Sequence, residues 1–250
     1  MSAKIQTRAY NPDTCQSLIA AGADPLLARL CAARAVASPA ELQDKLAGLL
    51  PHQSLKGCAE AAARLADAVL ARENILIVAD YDADGATACA VGMKGLQSMG
   101  AAVDFLVPNR FEHGYGLTPE LADMAAARGA QILLTVDNGI ASLAGVARAQ
   151  ALGLEVIITD HHLPADPVLD CIIVNPNQAG CGCESKNLAG VGVTFYVLMA
   201  LRAYLRVRGG FSNGLAEPSL GHLLVLIALG TVAAAVARVH TNRLFVSQGP

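Results

Sequence analysis

Short apolar runs alternate with longer amphipathic stretches over most of this 250-residue chain. The apolar runs are rich in β-branched residues, as expected of strands that are buried on both faces of a sheet. They read ILIVAD, AVDFLV, QILLTVD, EVIITD and CIIVN. Between them the apolar positions have helical spacing, with helices expected to begin at Gly85, Thr118, Ser142 and about Leu188. This alternation predicts an α/β fold with a mainly parallel sheet flanked by helices.

The first 72 residues have a different pattern, in which apolar positions recur at helical spacing without intervening strands. The stretches DPLLARLCAARAV and LKGCAEAAARLADAVLARE are amphipathic, and Ser38-Pro39 followed by Glu41 resembles a helix start. We therefore predict a helical N-terminal lead-in over residues 1–72 and an α/β domain over residues 73–250.

The longest apolar run, from Leu223 to Ala237, lies near the end of the chain. Its 15 residues fall short of the roughly 18 that a membrane span requires, so we expect a buried helix or a strand followed by a helix. The polar stretch from Arg208 to Ser219 predicts a loop. The first residues lack the apolar core of a signal peptide, which leads us to expect a soluble, cytoplasmic protein.

The composition of the chain limits the classes of function. It is 54% hydrophobic and 16% charged, which is typical of a globular protein and excludes a disordered one. The net charge of −3 provides no overall basic field, so any nucleic-acid binding must use a local patch or a metal ion. The 7 cysteines form no CxxC pair, which argues against a disulfide framework or a structural zinc site and favours a reducing compartment.

Acidic and imidazole side chains follow three of the predicted strands, at Asp80, Asp137 and Asp160. Because parallel strands bring their carboxyl ends to one edge of a sheet, these side chains should converge there. A single aspartate after a strand is usually a helix N-cap, but that explanation fits poorly when three strands show the pattern. The neighbouring candidates at the same edge are Asp82, Asp84, His161 and His162.

This mixture of side chains indicates metal chemistry. Clustered carboxylates repel one another and stay ionised only with a cation nearby. Carboxylate oxygens together with imidazole nitrogens suit Mn²⁺ or Mg²⁺. Two such ions about 3.5–4 Å apart activate a water molecule and stabilise the leaving oxygen in phosphoryl transfer. Asp137, which stands alone on the middle motif, is the natural residue to bridge two ions.

The motifs VADYDADGATA, LLTVDNGIAS, VIITDHHLP and IIVNPN…SKNLAGVGVTFY resemble, in order and spacing, those of the DHH phosphoesterase superfamily. The stretch PNRFEHGYGL narrows the resemblance to RecJ-type exonucleases, which degrade single-stranded DNA in the 5′→3′ direction. The resemblance implies Mn²⁺ or Mg²⁺ as cofactor, release of 5′-mononucleotides, a role in DNA repair and recombination, and single-strand-binding protein as a candidate partner. It implies metal ligands at Asp80, Asp82, Asp84, Asp137 and His161, and catalytic residues at Asp82, Asp84, Asp137, His161 and His162.

Four further residues are candidates for binding the substrate. Arg110 and His113 follow the second predicted strand, and the resemblance implies that their loop lies beside the scissile phosphate. Without the resemblance, a solvated surface loop explains them equally well. Tyr115 would stack a base or only pack against its neighbours. Lys186 and the first N–H groups of the following helix would bind a phosphate, unless the glycines there serve only close helix packing.

The chain departs from the RecJ pattern in two places. Where such chains carry GTVAD, with the aspartate as a further metal ligand, this chain has Ala234, and an alanine cannot bind a metal ion. We therefore expect a weakened second metal site, at a cost of several kcal/mol in transition-state stabilisation. The chain also stops at Pro250, without the second core domain and the oligonucleotide-binding domain that the resemblance implies.

Three functions stay open at this point. The first is a RecJ-type nuclease domain weakened by Ala234 and by truncation. The second is a DHH phosphoesterase that acts on a small molecule, and the third is an inactive RecJ-like fragment that only binds DNA or a partner. The PNRFEHGYG loop and the long lead-in favour the first over the second, and the intact DYDADG, VDNG and DHH motifs argue against the third.

Overall fold

A computed structural model describes residues 6–42, 45–109, 114–164, 166, 168–212 and 214–249. Its strands are β1 (Asn74–Ala79), β2 (Ala102–Leu106), β3 (Ile132–Val136), β4 (Glu155–Thr159) and β5 (Ile172–Val174). They form a five-stranded sheet in the order β2-β1-β3-β4-β5, and each neighbouring pair is parallel. The parallel α/β sheet expected from the sequence is confirmed.

Helices cover both faces of this sheet. They are α1 (Pro12–Ala20), α2 (Pro25–Ala32), α3 (Cys58–Ala71), α4 (Ala83–Ser98), α5 (Pro119–Ala127), α6 (Leu143–Ala151), α7 (Gly190–Val207), α8 (Leu224–Ala233) and α9 (His240–Ser247). Side chains alternate across β1, so Ile75 and Ile77 pack with α3, α4 and α7, whereas Leu76 and Val78 pack with α5 and α6. The two cores hold the sheet between two helical layers.

Helix α7 is the most deeply buried helix of the larger core. By length and composition alone it could cross a membrane, but 67% of it is buried inside the protein, where it packs against α3 and α4. It is the central helix of a folded core, and its apolar character follows from that position. The apolar run that begins at Leu223 also forms a helix, α8, which ends at Ala233 just before Ala235 adopts a left-handed φ of 52°.

The N-terminal region is helical, as expected, but only part of it has its own core. Helices α1 and α2 enclose a small cluster around Leu18 and Ala28, whereas α3 packs into the main core against α7. The division of the chain at residue 72 stays a prediction. The Ser38-Pro39 signal produces only a short 3₁₀ turn, Pro39–Leu42, and not the start of an α-helix.

Candidate metal centre

The carboxyl ends of β1, β3 and β4 bring Asp80, Asp137 and Asp160 together at one edge of the sheet. Each aspartate continues the strand ladder by one residue, since its N–H donates to a carbonyl of the neighbouring strand. These bonds join Asp80 N to Val136 O (3.3 Å), Asp137 N to Thr159 O (2.9 Å) and Asp160 N to Val174 O (3.1 Å). The three residues are 6%, 1% and 1% exposed. The sheet therefore fixes them side by side and shields them from water.

Two groups of side chains at this edge have the geometry of metal ligands. The first is Asp80, Asp82 and Asp137, and the second is Asp137, His161 and His162; within each group the ligand atoms lie within 4.8 Å of one another. Asp137 belongs to both groups, which supports its expected position between two ions. Asp82 also caps α4, because its Oδ1 accepts from Gly85 N at 2.9 Å. Asp82 therefore acts as an N-cap, and this is compatible with the metal-ligand role that stays a prediction.

The environment of Asp137 fits a cation. Its Oδ1 is buried and lies 3.2 Å from His161 Nε2, yet among the described residues no donor reaches it with hydrogen-bond geometry. Burial first, and then the charges of Asp84 and Asp160, raise the pKa of this carboxyl to about 7, although His161 acts in the opposite direction. A bound metal ion would satisfy the oxygen and keep the carboxylate ionised.

The backbone around Asp137 brings its carboxylate close to the start of α7. Asp137 itself has a left-handed φ of 61°, which is rare for a residue other than glycine and turns its carboxylate towards the start of α7. There a Cβ on Gly190 would lie only 2.2 Å from Asp137 Oδ1. A glycine is therefore required at position 190 for the carboxylate to occupy this place.

Asp84 has a different environment from the other acidic residues. Its two oxygens accept from Gly190 N and Val191 N, each at 2.9 Å, and its side chain is buried at the positive end of α7. His161 Nε2 lies 3.8 Å from Asp84 Oδ2. Burial is the largest effect on this group and raises its pKa. In the described geometry Asp84 joins α4 to α7, and its predicted metal and catalytic roles stay predictions.

This arrangement bears on two alternatives that the sequence leaves open, phosphate binding by the first N–H groups of α7 or close helix packing at its glycines. The N–H groups of Gly190 and Val191 donate to Asp84. Lys186 is also engaged: its Nζ donates to Pro176 O at 2.7 Å and to Cys181 O at 2.9 Å. These bonds hold the loop that precedes α7, so Lys186 as a phosphate ligand stays a prediction that the geometry does not favour.

Asp160 and His162 form a pair beside the ligand groups. His162 Nδ1 lies 2.7 Å from Asp160 Oδ1, and this hydrogen bond raises the pKa of His162 to about 9. Burial alone would raise the pKa of Asp160, but the bonds from His162, and a further one from Ile140 N, lower it. The sequence placed Asp160 at this edge but assigned it no role; the structure makes it the anchor of the two histidines.

Two asparagines that the sequence analysis did not select hold the histidines from the other side. Asn175 Nδ2 donates to His162 O at 2.9 Å, and Asn177 Nδ2 donates to His161 O at 2.6 Å. Asn177 N also donates to Asn175 Oδ1 at 2.7 Å. The signal for them in the sequence is the NPN stretch directly after β5, where polar residues follow a fourth strand at the same edge.

Of the remaining candidates for substrate binding, the structure describes only Tyr115. Arg110 and His113 lie outside the described residues. Tyr115 is 52% exposed, and its ring meets the ring of His162 edge-on, with their centroids 6.3 Å apart. Tyr115 therefore lies at the mouth of the candidate site, and whether it stacks a base or only packs stays a prediction.

Ala234 directly follows the last residue of α8, the helix that packs against α4 beside the acidic groups. On this helix a Cβ at Gly230 would lie 3.3 Å from Asp84 Oδ1. Ala234 is four residues further on, so it lies on the same side of the helix, and its methyl group supplies no ligand atom. This position agrees with the expectation that an aspartate here would face the site.

Comparison with known proteins identifies the family. Residues 74–231 match the DHH family, N-terminal domain. This chain belongs to the DHH family.

Individual similar proteins indicate a narrower group within this family. The chain is 50% identical over 228 residues to a single-stranded-DNA-specific exonuclease RecJ of Salmonella typhimurium, covering 90% of this chain and 40% of that protein. The RecJ of Escherichia coli is 49% identical over 253 residues, covering 100% of this chain and 44% of that protein. A crystal structure of RecJ from Thermus thermophilus in complex with Mn²⁺ matches with a TM-score of 0.74 and 30% identity, over 96% of this chain and 34% of that one. The chain thus spans less than half the length of these relatives.

Proposed function

We propose that this chain is the metal-binding catalytic domain of an exonuclease that hydrolyses single-stranded DNA from the 5′ end, with Mn²⁺ or Mg²⁺ as cofactor. The observation that carries the proposal is the buried edge where Asp137 is shared by two ligand groups. About half of the residues are identical to proteins named single-stranded-DNA-specific exonuclease RecJ, and this supports the substrate. Resemblance alone supports the cytoplasmic location, the role in DNA repair and recombination, and single-strand-binding protein as partner.

The residues divide into those that hold ions and those that handle protons. Asp80, Asp82, Asp137 and His161 would hold the ions, while the sheet keeps the carboxylates in register. His162 belongs to the second ligand group by distance, but its bond to Asp160 assigns it to proton transfer in this proposal. When bound, the two ions supply a nucleophile from water at neutral pH and positive charge for the attacking and leaving oxygens.

His162 is suited to donate a proton to the leaving oxygen. Attack of water on phosphorus breaks the bond from phosphorus to the 3′ oxygen of the terminal nucleotide, and that oxygen needs a proton. Asp160 holds His162 through Nδ1 and raises the pKa of the ring to about 9 in the metal-free protein, which leaves Nε2 as the ring atom placed to donate a proton. The products are a 5′-mononucleotide and DNA that is one nucleotide shorter with a new 5′ phosphate.

A second candidate function is binding of DNA or a partner without hydrolysis. The observation that favours it is Ala234, which removes a carboxylate from the side of the site where α8 contacts Asp84. The other candidate ligands are present, and the buried, incompletely hydrogen-bonded Asp137 carboxylate supports retained metal binding. We therefore prefer a weakened enzyme over a site that has lost its chemistry.

The test is Mn²⁺-dependent release of nucleotides from 5′-labelled single-stranded DNA. Asp82→Ala should abolish release, and Asp170→Ala, which removes an exposed carboxylate outside both ligand groups, should leave it unchanged. Equal release by the wild type and by Asp82→Ala would refute the metal-site assignment. If a folded wild type binds Mn²⁺ but releases no nucleotides, the result would favour the second candidate function, binding without hydrolysis.

A further inference from the structure

A cavity of about 500 Å³ opens beside the candidate metal centre, between the first turns of α5 and α6. Its volume lies in the roughly 300–1,000 Å³ range of small-molecule sites. His162 and Asp160 form one wall, so the cavity is continuous with the proposed catalytic edge. Another cavity, of about 210 Å³, lies at the amino ends of β1 and β2 and includes none of the site residues among its described lining.

The other walls of the cavity beside the metal centre are mostly apolar. They include Leu117, Ile140, Leu143 and Leu163, with the ring of Tyr115 at the mouth. Leu117 and Ile140 are buried, whereas Leu143 is 41% exposed and Leu163 is 80% exposed. Apolar side chains of this size with an aromatic ring beside them suit a flat, weakly polar ring system. The described lining residues include no lysine or arginine that could bind a second phosphate.

The mouth of the cavity is joined to the start of α6. Gly116 has a left-handed φ of 74°, and a Cβ there would lie 2.8 Å from Ser142 Oγ, so the chain passes close to this hydroxyl. The same Ser142 Oγ accepts from Leu117 N at 3.0 Å. This bond places the segment that carries Tyr115 beside the cavity.

We propose that this cavity binds the base of the nucleotide whose 5′ phosphate lies at the metal centre. The inference rests on the proposed function, because it takes the phosphate position from the ligand groups. It adds a base-binding subsite made of apolar residues from the α5 and α6 ends of the sheet edge. The subsite contacts the face of the base and not its polar edges, so it accepts any base, as an exonuclease that advances along DNA requires.

The experiment compares binding of deoxyadenosine monophosphate and deoxyribose 5-phosphate in the presence of Mn²⁺, by titration calorimetry. The two probes differ in the base. If the base enters the cavity, the wild type should bind deoxyadenosine monophosphate roughly tenfold more tightly. Ala144→Trp, which fills the cavity from an exposed lining position, should remove this difference. Ala147→Trp, at an exposed position on the same helix outside the lining, should retain it.

Leu163→Ser provides a second variant at a more exposed lining position, in case Ala144→Trp does not fold. This variant should bind deoxyadenosine monophosphate more weakly than the wild type does, with unchanged affinity for deoxyribose 5-phosphate. Equal binding of the two probes by the wild type, or an equal preference in Ala144→Trp and Ala147→Trp, would overturn the proposal.

Release of nucleotides from 5′-labelled single-stranded DNA, measured on the same preparations, separates the two levels of inference. A wild type that releases nothing but prefers the nucleotide, with the preference lost in Ala144→Trp, would retain the subsite and refute the nuclease. A wild type that releases nucleotides but shows no preference would retain the nuclease and refute the subsite.

Discussion

Asp137 at the end of β3 and Asp160 at the end of β4 are both 1% exposed, yet their pKa values are shifted in opposite directions. They occupy equivalent positions on neighbouring strands, so burial alone cannot explain the difference. Asp160 accepts from three backbone N–H groups and from a histidine ring, and its pKa falls. Asp137 has an oxygen without such a donor among the described residues, and its pKa rises to about 7.

The comparison shows how one sheet edge serves two purposes. A carboxylate whose lone pairs are filled by the protein is a structural anchor, and it orients its neighbours. A buried carboxylate with unfilled lone pairs costs free energy until a cation binds, so its position favours metal binding over bonds to the protein's own groups. The donors around each residue, and not its place in the fold, decide which role it takes.

The largest expected effect comes from Asp137→Asn. The variant keeps the shape of the side chain but removes the charge shared by both ligand groups. Mn²⁺ affinity, measured by calorimetry, should fall by more than about 100-fold, because even the loss of an outer partner of a ligand costs about 10–100-fold. Asp170→Asn, an exposed control, should bind Mn²⁺ like the wild type. If Asp137→Asn also binds normally, Asp137 does not bridge the ions.

Removal of metal should expose the unfavourable burial of Asp137 as a pH dependence. The folded pKa of about 7 lies above the ordinary value of 3.8, so the folded state keeps a proton that the unfolded state loses. Stability of the metal-free protein should therefore fall as pH rises from about 4 to 7, by on the order of a few kcal/mol. Urea unfolding at several pH values measures this slope, which Asp137→Asn should reduce. An unchanged slope in the variant would assign the pH dependence to other groups.

Asp160→Asn tests the opposite member of the comparison. It weakens the bond to His162 Nδ1, so the pKa of His162 should fall from about 9 towards 6.5, as followed by NMR titration of the ring. Stability near neutral pH should fall by about 1 kcal/mol, because the charge-assisted bond that is lost joins a buried carboxylate to a half-exposed, partly screened imidazole. In the wild type this contribution is complete below pH 6.5 and disappears as pH rises through about 9. A His162 pKa that stays near 9 in the variant would show that Asp160 is not its main partner.

Much of this contrast could not be predicted from the sequence. Apolar runs and the aspartates after them are local signals, and they were enough to place the strands and bring Asp80, Asp137 and Asp160 to one edge. Three of the four donors to Asp160 belong to the next two residues, but the fourth, Ile140 N, is 20 positions away, and other carboxylates accept from more distant segments. Asp84 accepts bonds from Gly190 and Val191, which lie more than 100 positions away, and no local pattern reports such a contact.

Ala234→Asp should sharpen the comparison by adding a carboxylate on the face of α8 near Asp84. The new carboxylate would lie on the face of α8 that contacts Asp84, so Mn²⁺ affinity should rise by about tenfold as the charge of the ligand set increases. The pKa of His162 should not change. Ala233→Asp, on the exposed side of the same helix, is the matched control and should leave Mn²⁺ affinity unaltered. Similar affinities for the two variants would mean that position 234 does not face the ions.

The smallest expected effect concerns Asn177, which supports the histidines from the loop after β5. Asn177→Ala removes the bond to His161 O and should cost about 1 kcal/mol in urea unfolding. Gln178→Ala loses bonds of the same kind to Lys56 O and Ile173 O, away from the histidines, and should cost about the same. Only Asn177→Ala should weaken Mn²⁺ binding, by about tenfold, because it alone frees the backbone that orients a ligand. Equal Mn²⁺ affinity in the two variants would reduce Asn177 to a structural residue and leave Asp160 and Asn175 as the residues that hold the histidines.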